Sequence, residues 1–253
     1  MDLAGRNALV TGASRRAGIG FAIARRLLEG GAGVFVQGWT PHDAAQEWGA
    51  EPGGTEGVAR ELGVGYVEAD FSDADAPHRV VDAARAQLGA PLDVLVVNHA
   101  RSGGGRLADT TAAELDAFFA ENARASLLLV KEFAAQHDDT RGGGRVVLMT
   151  SGIHKGPMTS ELEYAVSKGA LHVATATLAD ELADRGITVN CINPGPTDTG
   201  WGLTDLDPSR RMPAARWGEP DDAARLVAWL CSDDARWVTG QTIDSEGGFR
   251  RST

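Results

Sequence analysis

The stretch TGASRRAGIG, Thr11–Gly20, stands between a short apolar run, Ala8–Val10, and a segment that continues FAIARRLLEG. A glycine-rich turn that leaves a strand and opens a helix suits a phosphate, because glycine permits the tight turn and the first helical N–H groups have no partner within the helix. Gly12 would make that turn, while Gly18, Ile19 and Gly20 would bring backbone to the ligand. Glycine also marks ordinary turns, so the reading depends on what the rest of the chain sets beside it.

Composition narrows the field. The 253 residues allow one large α/β domain or two small ones. A net charge of -11 argues against a nucleic-acid partner, which would need clustered Lys and Arg. Cys191 and Cys231 lie in apolar surroundings and read as small core residues, so neither a disulfide nor a metal site is expected. No apolar run approaches the ~20 residues needed to span a bilayer. The N-terminal segment lacks the basic-then-apolar pattern of a secretory signal, which makes the cytoplasm the expected compartment.

Along the chain, apolar runs alternate with longer segments of helical period. Ala8–Val10, Val34–Val36, Gly65–Glu68, Val94–Val97, Val146–Met149 and Thr188–Ile192 read as buried strands. Gly20–Glu29, Ala76–Leu88, Ala112–Phe133 and Tyr164–Ala183 read as helices. This rhythm predicts a single doubly wound α/β domain over residues 1–253, its mostly parallel sheet of about seven strands covered by helices on both faces. Gln37–Gly57 reads as an enlarged loop, and Thr197–Glu219, rich in Pro, Gly and Arg, as a functional or mobile segment.

In such folds ligands bind beyond the carboxyl ends of the strands. Ser151 ends one strand, and Tyr164 and Lys168 follow it, four residues apart and so on one helix face. A serine, a tyrosine and a lysine at the edge that carries the phosphate loop can act together on one substrate atom. Ser151 can hold a carbonyl oxygen, Tyr164 can exchange a proton with it, and the Lys168 ammonium favours the phenolate, moving the tyrosine toward the working pH.

With these residues in place the chain resembles the short-chain dehydrogenase/reductases, and most of all the 3-oxoacyl-[acyl-carrier-protein] reductase-like branch. The resemblance runs from the opening loop through EADFSD, VVNHA, Asn122, Ser151, Tyr164, Lys168 and NPGPTDT to GQTIDSEGG at Gly240–Gly248. It implies a single Rossmann-type domain, a nicotinamide cofactor and reversible ketone/alcohol chemistry on a small molecule. It further implies that Lys168 binds the nicotinamide ribose and that Asn122 supports a water-linked proton relay, although an Asn within a helix can equally serve the backbone. Tyr164 and Lys168 would both touch the cofactor. Asp70 and Phe71 would meet the adenine side, Asn98, His99 and Ala100 would line the ribose side, and Pro194, Gly195, Thr197 and Thr199 would cup the nicotinamide. The enoyl-reductase branch spaces its Tyr and Lys more widely, and Leu171 stands seven residues after Tyr164.

Two departures from the family pattern bear on function. Five residues, not three, separate Gly12 from Gly18, and Ser14, Arg15 and Arg16 occupy the bulge. The second strand ends in Gln37, Gly38 and Trp39, with no acidic residue to bond a ribose 2′-hydroxyl. Arg15 or Arg16 could fork onto a 2′-phosphate with Trp39 on the adenine, so NADP(H) is favoured over NAD(H); both arginines could instead solvate a surface bulge. In the second departure, His99 and Arg101 replace the family's second Asn and the Gly of Asn-Asn-Ala-Gly. Arg101 could face an anionic part of the substrate or form a surface salt bridge, and His154 carries no assigned role.

The substrate lid is expected around residues 197–216, with Trp201, Leu203, Leu206 and Met212 beside Arg210 and Arg211. That mixture suits a partly apolar ketone, either a 3-oxoacyl thioester or a polyketide-type compound. A catalytically silent NADP-binding regulatory or scaffold protein is the alternative. The resemblance also implies a homotetramer or homodimer, with ARLVAWLCS and Gln241–Ser245 as candidate interface elements.

Overall fold

The computed structural model describes residues 2–141, 143–200, 203 and 207–251. Its apolar runs form seven strands: β1 Asn7–Thr11, β2 Gly33–Gly38, β3 Gly65–Glu68, β4 Val94–Val97, β5 Arg145–Met149, β6 Thr188–Asn193 and β7 Thr242–Asp244. They lie in the order β3-β2-β1-β4-β5-β6-β7, every neighbouring pair parallel. Because the central strands are buried on both faces, both side-chain sets are apolar. Leu9, Leu95 and Leu148 enter one core cluster, while Val10, Val96 and Val147 enter the other. The order reverses beside β1, which opens a crevice at the carboxyl ends of β1 and β4.

The covering helices are α1 Ile19–Glu29, α2 Thr40–Ala44, α3 Gly54–Leu62, α4 Ala76–Leu88, α5 Ala112–Phe118, α6 Ala125–Gln136, α7 Leu162–Leu182 and α8 Pro220–Cys231. On one face α1 packs on α8, and Arg26 of α1 forks onto Asp221 at the start of α8 through Nε and Nη2, at 2.6 and 2.5 Å. Among the described residues, no helix is long and apolar enough to cross a membrane.

Two expectations are corrected, and a third is covered only in part. Gln37–Gly57 is not a bare loop, because α2 and the start of α3 occupy much of it. The single helix expected over Ala112–Phe133 is three pieces: α5, a π-helical turn at Phe119–Arg124, and α6, which runs on to Gln136. A periodicity reading cannot see a π turn, since one added residue per turn only shifts the apolar stripe. The expected lid is partly described: Thr197 bridges Gly218 and Pro208–Arg210 forms a 3₁₀ turn, but Trp201 and Leu206 lie outside the described residues.

Candidate active site

Glycine is required twice in the opening loop. Gly12 has φ of 69°, and a Cβ on it would stand 2.7 Å from the Cα of His99. A Cβ on Gly20 would stand 2.3 Å from the Gly12 carbonyl oxygen, so the first turn of α1 packs directly on the turn that precedes it. No side chain caps α1, and no acidic residue occupies its first turn. Its leading N–H groups and positive end therefore face the crevice, as an anion site requires.

The two arginines of the bulge part company. Arg15 lines the crevice, its Nη2 donates to the Thr199 carbonyl at 2.8 Å, and its guanidinium stacks 5.0 Å from the Trp48 ring centre. It thus bridges the glycine loop to the segment after β6. Arg16 is clamped by Glu51 at 2.7 Å and Glu61 at 2.5 Å and lines neither cavity of the site. Its two carboxylate partners tie the bulge to α3, so of the pair expected at the phosphate only Arg15 is placed to reach one.

A cavity of about 250 Å³ is lined by Gly12, Ser14, Arg15, Gly18, Ile19 and Trp39, and across from them by Asp70, Phe71, Asn98, His99, Ala100 and Arg101. Sequence reading missed Gln37, Asp43 and Trp48 in the same wall. Gln37 accepts from the Gly12 N–H at 3.1 Å and donates to the Ala69 carbonyl at 2.8 Å, which joins β2 to both neighbouring loops. The buried Asp43 carboxylate takes hydrogen bonds from the Ser14 hydroxyl and, at 3.3 Å, from Trp48 Nε1. The absence of an acidic residue at the end of β2 is thus offset in space by one from α2.

Asn98 donates to the carbonyls of Thr11 and Gly12 at 3.1 and 2.9 Å and so fixes the turn from β4. His99 Nε2 meets the Glu121 carbonyl at 3.0 Å, and Nδ1 meets the Thr11 hydroxyl at 2.8 Å. A carbonyl can only accept, so Nε2 carries the proton and Nδ1 accepts from Thr11. Burial pushes the imidazole down to about 3, with the Lys168 charge adding to the effect, which leaves the ring neutral. His99 therefore occupies the family's second Asn position by holding a carbonyl of the π turn.

Asn122 lies in that π turn, fully buried. Its Oδ1 accepts from the Arg101 N–H at 2.7 Å, and its Nδ2 donates to the Arg101 carbonyl at 3.0 Å and to Ser167 Oγ at 2.9 Å. The carboxamide's donors are both committed to protein groups, so its visible work is to hold the loop after β4 against the residue preceding Lys168. Arg101 forms the salt bridges expected as one alternative, to Glu121 at 3.0 Å and Glu114 at 3.4 Å.

The second cavity, about 710 Å³, adjoins the first, and Ile19, Ser102 and Thr199 line both. Ser151 and Tyr164 line it together with Pro194, Gly195, Thr197 and Thr199. Burial pushes the Tyr164 phenol up to about 12; the Glu161 charge adds to the rise and a hydrogen bond with Ser151 opposes it. The expected lowering of Tyr164 by Lys168 is absent, because desolvation dominates. Lys168 is 2% exposed, its Nζ donates to the Met149 carbonyl at 2.8 Å, and it stands 5.9 Å from the Tyr164 ring centre. Burial brings its ammonium down to about 8. Glu161, Asn193, Phe249 and Arg251 also line this cavity and were not read from the sequence. His154 pairs with Asp244 at 3.0 Å and stacks on His172, outside the cavity wall.

A family model described as enoyl-(acyl carrier protein) reductase matches residues 12–250. An uncharacterized oxidoreductase of Bacillus subtilis, YjdA, is 41% identical over 247 residues, 96% of each chain. An NADPH-dependent aldehyde reductase-like chloroplastic protein of Arabidopsis thaliana is 35% identical over 98% of this chain and 96% of its own. The crystal structure of the landomycin C-6 ketoreductase LanV with bound NADP and rabelomycin superposes with a TM-score of 0.83 at 33% identity, covering 98% of this chain and 97% of that one. With the glycine loop, the serine–tyrosine cavity and the buried lysine on one edge of a seven-stranded parallel sheet, the chain belongs to the short-chain dehydrogenase/reductase family and is an oxidoreductase of that type.

Proposed function

We propose that the chain is an NADP(H)-dependent carbonyl reductase that interconverts a ketone and a secondary alcohol. The observation that carries this reading is the continuity of the two cavities. A crevice built for a dinucleotide runs past Ile19 and Thr199 into a chamber walled by Ser151 and Tyr164. The residues fit the cofactor on their own terms: two glycines that admit no side chain, an uncapped helix start, and a cation above the crevice. A nicotinamide bound there supplies or removes the hydride. Tyr164, protonated at neutral pH, donates the proton to the nascent alkoxide, and Ser151 holds that oxygen. Lys168 adds a positive charge behind the phenol, and Asn122 is a positioning residue for the loop and helix that carry the pair.

NADP(H) preference rests on Arg15, which can pair with a 2′-phosphate, and works against the Asp43 carboxylate in the same wall. The NADPH-dependent and NADP-bound proteins among the relatives support the same choice. Replacing Arg15 with alanine should weaken NADPH binding by roughly tenfold or more, the worth of a charge-assisted hydrogen bond, and leave NADH binding near its original value. Nicotinamide fluorescence titrations measure both, and equal losses for the two cofactors would remove Arg15 from the phosphate site. The substrate is a partly apolar ketone, and the aromatic polyketide class is favoured over a 3-oxoacyl thioester by the ketoreductase neighbours. Cofactor binding with no turnover over a broad ketone panel would favour the silent regulatory reading. Work in the cytoplasm belongs to this proposal.

A second copy of the chain is the proposed partner. Much of ARLVAWLCS is core within its own chain, since Ala224, Val227, Ala228, Leu230 and Cys231 are buried there. Leu115, Phe119, Val166 and Val173 stand exposed along α5, the π turn and α7. Sedimentation velocity should show a dimer or tetramer, and Val166→Asp with Val173→Asp should shift it toward monomer.

A further inference from the structure

Because β7 runs parallel to β6, the chain leaves it on the ligand edge of the sheet. Gly247 and Gly248, with φ of 58° and 78°, turn it there. Glu246, its side chain 8% exposed, accepts from Arg251 Nη1 and Nη2 at 2.9 and 2.8 Å and from Asn193 Nδ2 at 2.8 Å. A bidentate guanidinium–carboxylate pair fixes direction as well as distance, so this pair defines the course of the four residues between.

Those residues touch three parts of the site. The Arg251 guanidinium lies on the backbone of Gly152, next to Ser151: a Cβ at Gly152 would stand 1.9 Å from Nη2. A Cβ on Gly195, in the turn expected at the nicotinamide, would stand 2.3 Å from the Glu246 Cβ. The Arg250 N–H donates to the Arg211 carbonyl at 2.9 Å, and Met212 and Pro213 pack on Gly247 and Gly248. Phe249 and Arg251, with the guanidinium 5.1 Å from the ring centre, both line the larger cavity.

We infer that the tail Gly247–Arg251 is a specificity wall for the substrate cavity, latched by the Glu246–Arg251 pair, and that it selects planar aromatic ketones. The phenyl ring and the guanidinium plane present flat, polarizable faces that an extended aromatic substrate covers and a small aliphatic ketone does not. Arg251 acts on the proton chemistry only by positioning, since it rests on the Gly152 backbone and not on the reacting atoms. The substrate part of this inference rests on the carbonyl-reductase reading; the latch does not.

The test compares Arg251→Ala and Arg251→Lys with the wild type, using 1-tetralone and 2-butanone as probe ketones. Arg251→Ala should raise KM for 1-tetralone by roughly tenfold, with little change for 2-butanone and none in NADPH affinity. Arg251→Lys keeps the charge, loses the fork and should fall between. Equal KM changes for the two ketones, or NADPH affinity lost in parallel, would overturn the specificity role. Hydrogen exchange at Gly152–Gly156 and Pro208–Met212 reads the latch without turnover: faster exchange in Arg251→Ala supports it, and unchanged exchange refutes it. A wild type that reduces neither ketone would count against the reductase reading, and the exchange result would still decide the latch.

Discussion

Tyr164→Phe is expected to lower kcat for ketone reduction by about 10²–10⁴-fold, the range for loss of a positioned proton donor. The ring that lines the cavity stays and only the hydroxyl goes, so NADPH titration should give an affinity close to the wild type. Steady-state kinetics with the fluorescence titration separate these effects, and an undiminished kcat would take Tyr164 out of the proton path. The pH dependence has a definite sign. Burial holds the phenol up at about 12, so the proton needed for reduction is present through neutral pH. Alcohol oxidation needs the phenolate and should climb with rising pH, while reduction should not lose its proton donor in the same interval.

Lys168→Met should produce opposite effects on activity and stability. Turnover should fall by about 10²-fold or more, because the positive charge behind the Tyr164 phenol is lost. The melting temperature at neutral pH should rise by about 2–4 °C, the shift that ~1 kcal/mol makes in a chain of this size, because a buried ammonium held by one carbonyl is replaced by a thioether of similar length. The linkage sign provides a second check. Below about 8 both folded and unfolded chains carry the proton on Lys168, and the burial cost is full. Between about 8 and the ordinary value of 10.5 the folded chain has released the proton that the unfolded chain still binds, so this residue's penalty shrinks as pH rises. The stability gap between variant and wild type should therefore narrow over that interval in thermal or urea unfolding. A gap that widens would mean that the lysine is stabilising where it sits.

The alternation of apolar strands with helical segments was legible because buried parallel strands leave near-continuous apolar runs. The six strands read from the sequence stand where it places them, and β7 falls within Gln241–Ser245. Ser151 and Tyr164 meet at one cavity, as their positions after β5 and at the start of α7 imply. The π turn at Asn122 was not legible, nor was the neutral His99 that holds one of its carbonyls, since both depend on how a loop from β4 packs on a helix twenty residues onward. Arg15 and Arg16 are adjacent and chemically equal in the sequence. Glu51 and Glu61, brought over by the loop before α3 and by α3 itself, separate them.

Local order in the chain determined the architecture, the glycine loop and the serine–tyrosine–lysine set, because strand and helix periods and short-range spacing are properties of neighbouring residues. Contacts between distant segments decided the rest: Asp43 in the wall of the smaller cavity, the desolvation that raises Tyr164, and the Arg251 tail across the larger one. Burial and charge pairing arise only when strands far apart in sequence align their carboxyl ends on one edge. A candidate chemistry could therefore be proposed from the sequence, while the electrostatics of its residues and the shape of the larger cavity follow from tertiary packing.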